Sequence, residues 1–262
     1  MCARLSRGVL TISIDLEAEG EPLGLGEQRS LDEMARRLAN LLARHSLAAT
    51  WGAADPAGAA IGERLVSLDA GHEIAVLGDA TWIGREAGRT SFGRELARRT
   101  ARSRGTGMRV STLMLKGTKL DEHYDLAIKH GITVVRQAVG FDASHASRLQ
   151  PQTVRFGLWS FPVSVALPGT SRCLPGGGGK RTARATIDRA IAACGLIQLA
   201  IDAPRLAARG HAAERVVERV LEHVARRRRQ GTLEVVTLSE AAGKLRAGHP
   251  SRPSRSILRP AA

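Results

Sequence analysis

Two stretches of the chain carry residue types that could do chemistry. "SIDLEAEGE", residues 13–21, ends an apolar run with carboxylates at Asp15 and Glu17, and Glu19 and Glu21 follow. Along a strand, residues two apart point to the same side. Asp15 and Glu17 could therefore share a cation, or divide the roles of general base and ligand. The bland alternative is an acidic cluster capping a helix start; the position at the end of a buried strand favours chemistry. The second stretch, "GHEIAVLGDATW", residues 71–82, offers His72, Glu73, Asp79 and Thr81 around a short apolar run. A metal loop would need two or three ligands there at fixed spacing, and this one offers fewer. The chain contains no H-x-x-x-H or H-E-x-x-H pair, the spacing that puts two imidazoles on one helix face.

Other motifs read as structure. The loop "PGGGGKRT", residues 175–182, lacks the glycine at Leu174 and the hydroxyl at Arg181 that a Walker A phosphate loop needs, and reads as a flexible connection. Arg226–Arg229 end a long helix, where positive charge complements the macrodipole. Cys2, Cys173 and Cys194 are scattered, which fits a reduced compartment and argues against both a disulfide framework and a thiolate metal site.

Positioning these residues requires a scaffold, and the periodicity describes one. Strands are expected at 8–14, 47–53, 72–77, 109–115, 132–136, 195–201 and 233–238, with two short ones at 153–157 and 160–166. Helices are expected from Ser30 to His45, from Pro56 to Asp69, and over 86–104, 119–130, 182–193 and 211–229. Ser30 and Glu33 form a capping-box pattern before the first. Alternating strands and helices imply a parallel sheet, and a chain of 262 residues favours closure into a barrel. In such barrels the loops after the strand C-termini carry chemistry. That rule selects Asp15, Glu17, Asp55, Asp79, Thr81, Lys116 and Asp202.

The formal charge of +14 invites a nucleic-acid reading. Five of the 39 basic residues are lysine, so 34 are arginine, a bias that a GC-rich genome produces without selection for a polyanion. No stacking aromatics are interleaved with them, so nucleic acid is an unfavoured partner. No apolar run of about 18 residues is present, so no membrane span is expected. The start "MCARLSRGVLTISID" runs straight into a strand without an apolar leader, and a cytoplasmic protein is expected.

The order of segments resembles a known family. "LTISIDLE", "LAATW", "GHEIAVLGDATW", "TLMLKG", "GLWSFPVSVALPG" and "GLIQLAIDAPRLA" are similar, in sequence order, to the motifs of polysaccharide deacetylases, the NodB-homology domain. The resemblance spans residues 8–245 and rests on ordered weak motifs. It implies a distorted (β/α)7 TIM-like barrel over residues 1–247; the Pro/Ser/Arg-rich composition of 248–262 predicts a disordered tail. It also implies metal-assisted hydrolysis of N- or O-acetyl groups on sugars, with zinc or another divalent metal held by one Asp and two His.

Carried onto this chain, Asp15 falls at the base position and Glu17 near the metal carboxylate. The ligand histidines are replaced by Leu77 and Thr81, and His72 matches a non-ligand histidine. The arginine-proline motif is reduced to Lys116, and the late histidine falls at Ile201 or Asp202. A site built from Asp15, Glu17, Asp79 and Asp202 would suit magnesium or calcium better than zinc. The expectation is a catalytically impaired or inactive homologue with no cofactor. It would bind a carbohydrate or acetylated sugar in a groove lined by Trp51, Trp82 and Lys116. The alternatives are a deviant hydrolase using Asp15, with an oxygen-ligated metal or none, and a basic nucleic-acid-binding protein.

Overall fold

A computed structural model describes residues 5–17, 24–59, 61–62, 65, 71–83, 88–105, 109–120, 122–138, 150–168 and 179–247. Half of the helix expected from Pro56 to Asp69, residues 175–178 of the glycine-rich loop and the tail from 248 lie outside the described residues.

The strands are β1 (Gly8–Asp15), β2 (Thr50–Ala53), β3 (Glu73–Gly78), β4 (Thr112–Leu115), β5 (Val134–Arg136), β6 (Gln152–Thr153), β7 (Trp159–Phe161), β8 (Val165–Leu167), β9 (Leu196–Asp202) and β10 (Leu233–Val236). They form a single sheet in the order β6-β7-β5-β4-β3-β2-β1-β9-β8, with β10 also paired to β1. The architecture is α/β, with a curled sheet forming a half-barrel. All pairs are parallel except β6–β7, so the sheet is mixed rather than purely parallel as expected. β1 is its hub. One edge pairs with β9 along its length, while the other is shared by β10 at residues 8–11 and β2 at residues 13–15. All eight β1 residues are buried, as a strand covered on both faces must be.

The helices are α1 (Leu25–Arg44), α2 (Gly88–Gly105), α3 (Tyr124–Lys129), α4 (Gly179–Ala192), α5 (Ala203–Arg209), α6 (His211–Arg229) and α7 (Leu238–Ala247). None is long and apolar enough to cross a membrane. Helix α1 buries Leu31, Met34, Leu38 and Leu42 as the periodicity requires, but it begins five residues before Ser30. The Glu27 carboxylate accepts from the Gly24 backbone N–H at 3.0 Å and fixes the earlier start. Glu33 instead pairs with Arg37 one turn on. Gly179 onward, expected as loop, belongs to α4.

Helix α7 is not among the expected helices, and the strand expected over 233–238 ends at Val236. Thr237 Oγ1 accepts from Glu240 N at 3.3 Å, and Glu240 Oε2 accepts from Thr237 N at 2.9 Å. That reciprocal cap ends β10 and starts the helix. Leu238, Ala241, Ala242 and Leu245 then pack with Val9, Ala75, Leu77, Met114, Val134, Trp159 and Phe161 inside the curled sheet.

Glu73, at the start of β3, ties this helix to three strands. Its carboxylate accepts from Thr50 Oγ1 at 2.9 Å, Thr112 Oγ1 at 2.5 Å and the Ser239 backbone N–H at 3.1 Å. Enclosure pushes its carboxyl above the ordinary glutamate value, against the pull of these donors. A carboxyl that holds its proton more tightly folded than unfolded favours folding below its unfolded pKa. That contribution is lost as pH rises through the folded value. Urea unfolding from about pH 4.5 to about pH 8 should therefore show a smaller stability loss for Glu73→Gln than for the parent chain.

Candidate functional site

Because the strands run parallel, the C-terminal ends of β1, β4, β5 and β9 share one rim. Asp15 closes β1 there, in register with Asp202 at the end of β9. The Asp15 side chain is 4% exposed and faces Arg136, the last residue of β5, whose side chain is fully buried. Arg136 Nη2 approaches Asp15 Oδ1 at 2.8 Å, while Nη1 donates to Oδ2 at 3.3 Å. The Oδ1 approach is off-line and acts as a Coulombic contact rather than a hydrogen bond. Nη2 also donates to the Leu115 carbonyl at 2.9 Å, which holds the guanidinium across β4. Burial pushes the Asp15 carboxyl above its ordinary value, against the opposing pull of Arg136 and Lys116.

Lys116 follows β4, its backbone N–H bound to the Gly78 carbonyl at 2.8 Å. Its ammonium donates to the Glu17 carbonyl at 2.6 Å and lies 3.2 Å from Asp202 Oδ2. Asp202 Oδ1 accepts from Arg205 N at 3.0 Å and so caps helix α5. Of the expected residues, the rim therefore gathers Asp15, Lys116, Asp202 and the backbone of Glu17. The Glu17 side chain turns toward the end of β2, where Oε1 accepts from Ala54 N. Burial raises its carboxyl, opposed by that amide and by Arg99. Asp79 is bound to its own turn, accepting from Thr81 N at 2.9 Å and from the Thr81 hydroxyl. Asp55 pairs with Arg102 on α2.

Two expected groove residues are core instead. Gly52 faces the sheet interior, where an added Cβ would meet Met114 Cε at 2.8 Å. Its neighbour Trp51 must therefore point into the helix layer, and it is fully buried there with Leu31, Leu38 and Leu42. Trp82 is 3% exposed, stacked on Phe92 at 5.8 Å between ring centroids, with the Arg99 guanidinium 4.8 Å from its ring. Neither indole has a face open for a sugar.

His72 lies at the opposite rim. Its Nδ1 accepts from Ala49 N at 3.2 Å and Trp51 Nε1 at 3.4 Å, and burial lowers its pKa. The "GHE" segment is a strand entry, with a neutral histidine satisfying two donors.

Arg136 and Arg99 were not singled out from the sequence. Arg136 obeys the strand-end rule, as the last residue of "ITVVR". Arg99 reaches from α2 to the Ala54 carbonyl, and nothing in sequence distinguishes it from its arginine neighbours on that helix.

The residues present do not fit a divalent metal. Leu77 is buried and apolar, and Thr81 is held by Asp79. The carboxylates of Asp15 and Asp202 already face fixed cations, and that of Glu17 a backbone amide. Among the described residues no three His, Cys, Asp or Glu side chains are grouped to hold an ion.

No protein-family model and no curated protein sequence matches the chain. Solved structures do. A Mycobacterium smegmatis protein assigned as a polysaccharide deacetylase aligns over 97% of this chain and 94% of its own, with TM-score 0.68 and 16% identity. The 4-alpha-glucanotransferase of Thermococcus litoralis aligns over 91% of this chain and 40% of its own, with TM-score 0.62 and 13% identity. At these identities the likeness establishes the fold, which this chain shares with proteins of different activities.

Proposed function

We propose that this chain is a polysaccharide deacetylase-like protein, a distorted (β/α)7 barrel of the NodB type, that binds carbohydrate and does not run metal-assisted hydrolysis. The observation that carries this reading is the state of the rim, where Arg136 and Lys116 occupy the carboxylates that a metal and a general base would need. Two of the structural neighbours are described as a polysaccharide deacetylase and a 4-alpha-glucanotransferase, which supports carbohydrate as the ligand class. A polyhydroxy ligand at this rim would have to exchange hydrogen bonds with Lys116, Asp202 and the Glu17 carbonyl, which now bond one another.

The test is titration calorimetry with oligosaccharides bearing N- or O-acetyl groups, alongside an assay for released acetate. We expect saturable binding that survives Asp15→Asn, with no acetate released by either protein. Acetate release that disappears in Asp15→Asn would instead make the protein a deviant hydrolase. Absence of sugar binding together with steep, salt-dependent affinity for DNA or RNA would replace the reading with a nucleic-acid one.

A further inference from the structure

We infer that helix α7 is a latched stopper at the end of the curled sheet opposite the rim, held through Glu73 and built to open locally as pH rises. The helix is gripped on one face only. Leu238, Ala241, Ala242 and Leu245 meet the sheet interior, an apolar face in which two of the four side chains are single methyl groups. Glu240, Gly243, Lys244 and Ala247 follow the same helical spacing on the opposite face. Together with Gly71 and Arg228 they line a cavity of about 630 Å³, so nothing packs the helix down from that side. Gly243 has open space where a Cβ would stand and lowers the stability of the helix at that position. A helix of ten residues does not hold its fold alone in water, so leaving the sheet means unfolding.

The latch is polar. The Leu238 N–H donates to Thr50 Oγ1 at 3.0 Å and the Ser239 N–H to Glu73 Oε2 at 3.1 Å, so strands bind the first amides of the helix, which its own turns leave free. The hydroxyls of Thr50 and Thr112 complete the shell around the Glu73 carboxyl. A hydroxyl can donate to a carboxylate or accept from a carboxylic acid, so this shell serves the neutral form as well. The ionised form costs more, because it is held where water is excluded, and burial raises the carboxyl above its ordinary value. Opening returns the charge to water, so rising pH favours the open state. The charged groups on the surrounding elements face elsewhere. His72 accepts from Ala49 and Trp51, Glu240 caps Thr237, Lys244 pairs with Glu234, Arg228 donates to the His45 carbonyl, and Asp15 and Arg136 pair at the far rim.

This inference goes beyond the carbohydrate reading and does not need it, since the test contains no ligand. The measurement is amide hydrogen exchange by mass spectrometry on peptides covering 238–247 and 8–15, at about pH 5 and about pH 8, corrected for intrinsic rates. In the parent chain, protection over 238–247 should fall about fivefold or more from the lower pH to the higher, while β1 exchanges far more slowly at both. Glu73→Gln should flatten that dependence and keep α7 at the higher pH at least as protected as in the parent. Gly243→Ala should raise α7 protection about threefold at both pH values and leave the dependence in place. Protection of α7 that is constant with pH in the parent chain, or that changes equally in Glu73→Gln, would overturn the role of Glu73. Exchange of 238–247 in step with β1 at both pH values would overturn local opening and make α7 an ordinary part of the core.

Discussion

Arg136→Met should lower the unfolding free energy by about 3–5 kcal/mol at neutral pH, the largest effect expected of any single rim substitution. The guanidinium is fully buried, and its partner Asp15 has a 4% exposed side chain. Removing one member of such a pair strands the other charge in a medium that solvates it poorly. The loss has a pH signature. Asp15 is already pushed up by burial, with Arg136 the chief opposing influence. Without that guanidinium the carboxyl takes up its proton at still higher pH, so the penalty should shrink in acid as the stranded group becomes neutral. Urea denaturation at about pH 7 and about pH 4.5 measures both quantities. Converting Asp15 to leucine in the same background should recover much of the loss, since two apolar side chains leave no orphaned charge. A deficit below about 1 kcal/mol at neutral pH would mean that water reaches Asp15 when the guanidinium is gone.

Trp51→Ala should cost about 3–5 kcal/mol, with Trp51→Phe well below that. The indole is among the largest fully buried side chains, and its N–H points at His72 Nδ1 across 3.4 Å. Alanine would leave a void between the sheet and α1. If Trp51 were a sugar platform, its replacement would weaken binding and spare stability. The burial requires the opposite pattern, a destabilised protein whose folded fraction binds ligand as before. Thermal unfolding and calorimetry on the same sample separate the two.

The rim was partly legible because parallel strands put their C-terminal residues on one edge whatever the details of packing. That rule selects Asp15, Lys116 and Asp202, and Arg136, the last residue of β5, obeys it as well. Position along a strand does not reveal which face a side chain takes. Strand position alone therefore allows Trp51 in the groove, and it is Gly52 against Met114 that fixes the alternation and sends the indole to the helix layer. Glu17 lies beyond the hydrogen-bonded part of β1, where two-residue alternation no longer applies, so its side chain left Asp15 for Ala54. Arg99 was not legible, because its difference from Arg98 is a matter of helix phase against a loop that sequence does not position. Helix α7 was hidden because Thr237 and Glu240 look like a strand end until each is seen to cap the other.

The partners of β1 have a consequence for the order of events on the ribosome. The first strand of the chain begins at Gly8, yet its neighbours on the two edges include Leu196 of β9 and Leu233 of β10. Until those residues are synthesised, only residues 13–15 of this apolar strand have a partner, in β2, and its β9 edge and its Gly8–Thr11 half have none. Sequence-distant closure of this kind is slow, because the intervening loop entropy is lost before any contact repays it. Both edges of β1 are thus completed only by elements far downstream of it in the sequence, and its exposure lasts until they are made.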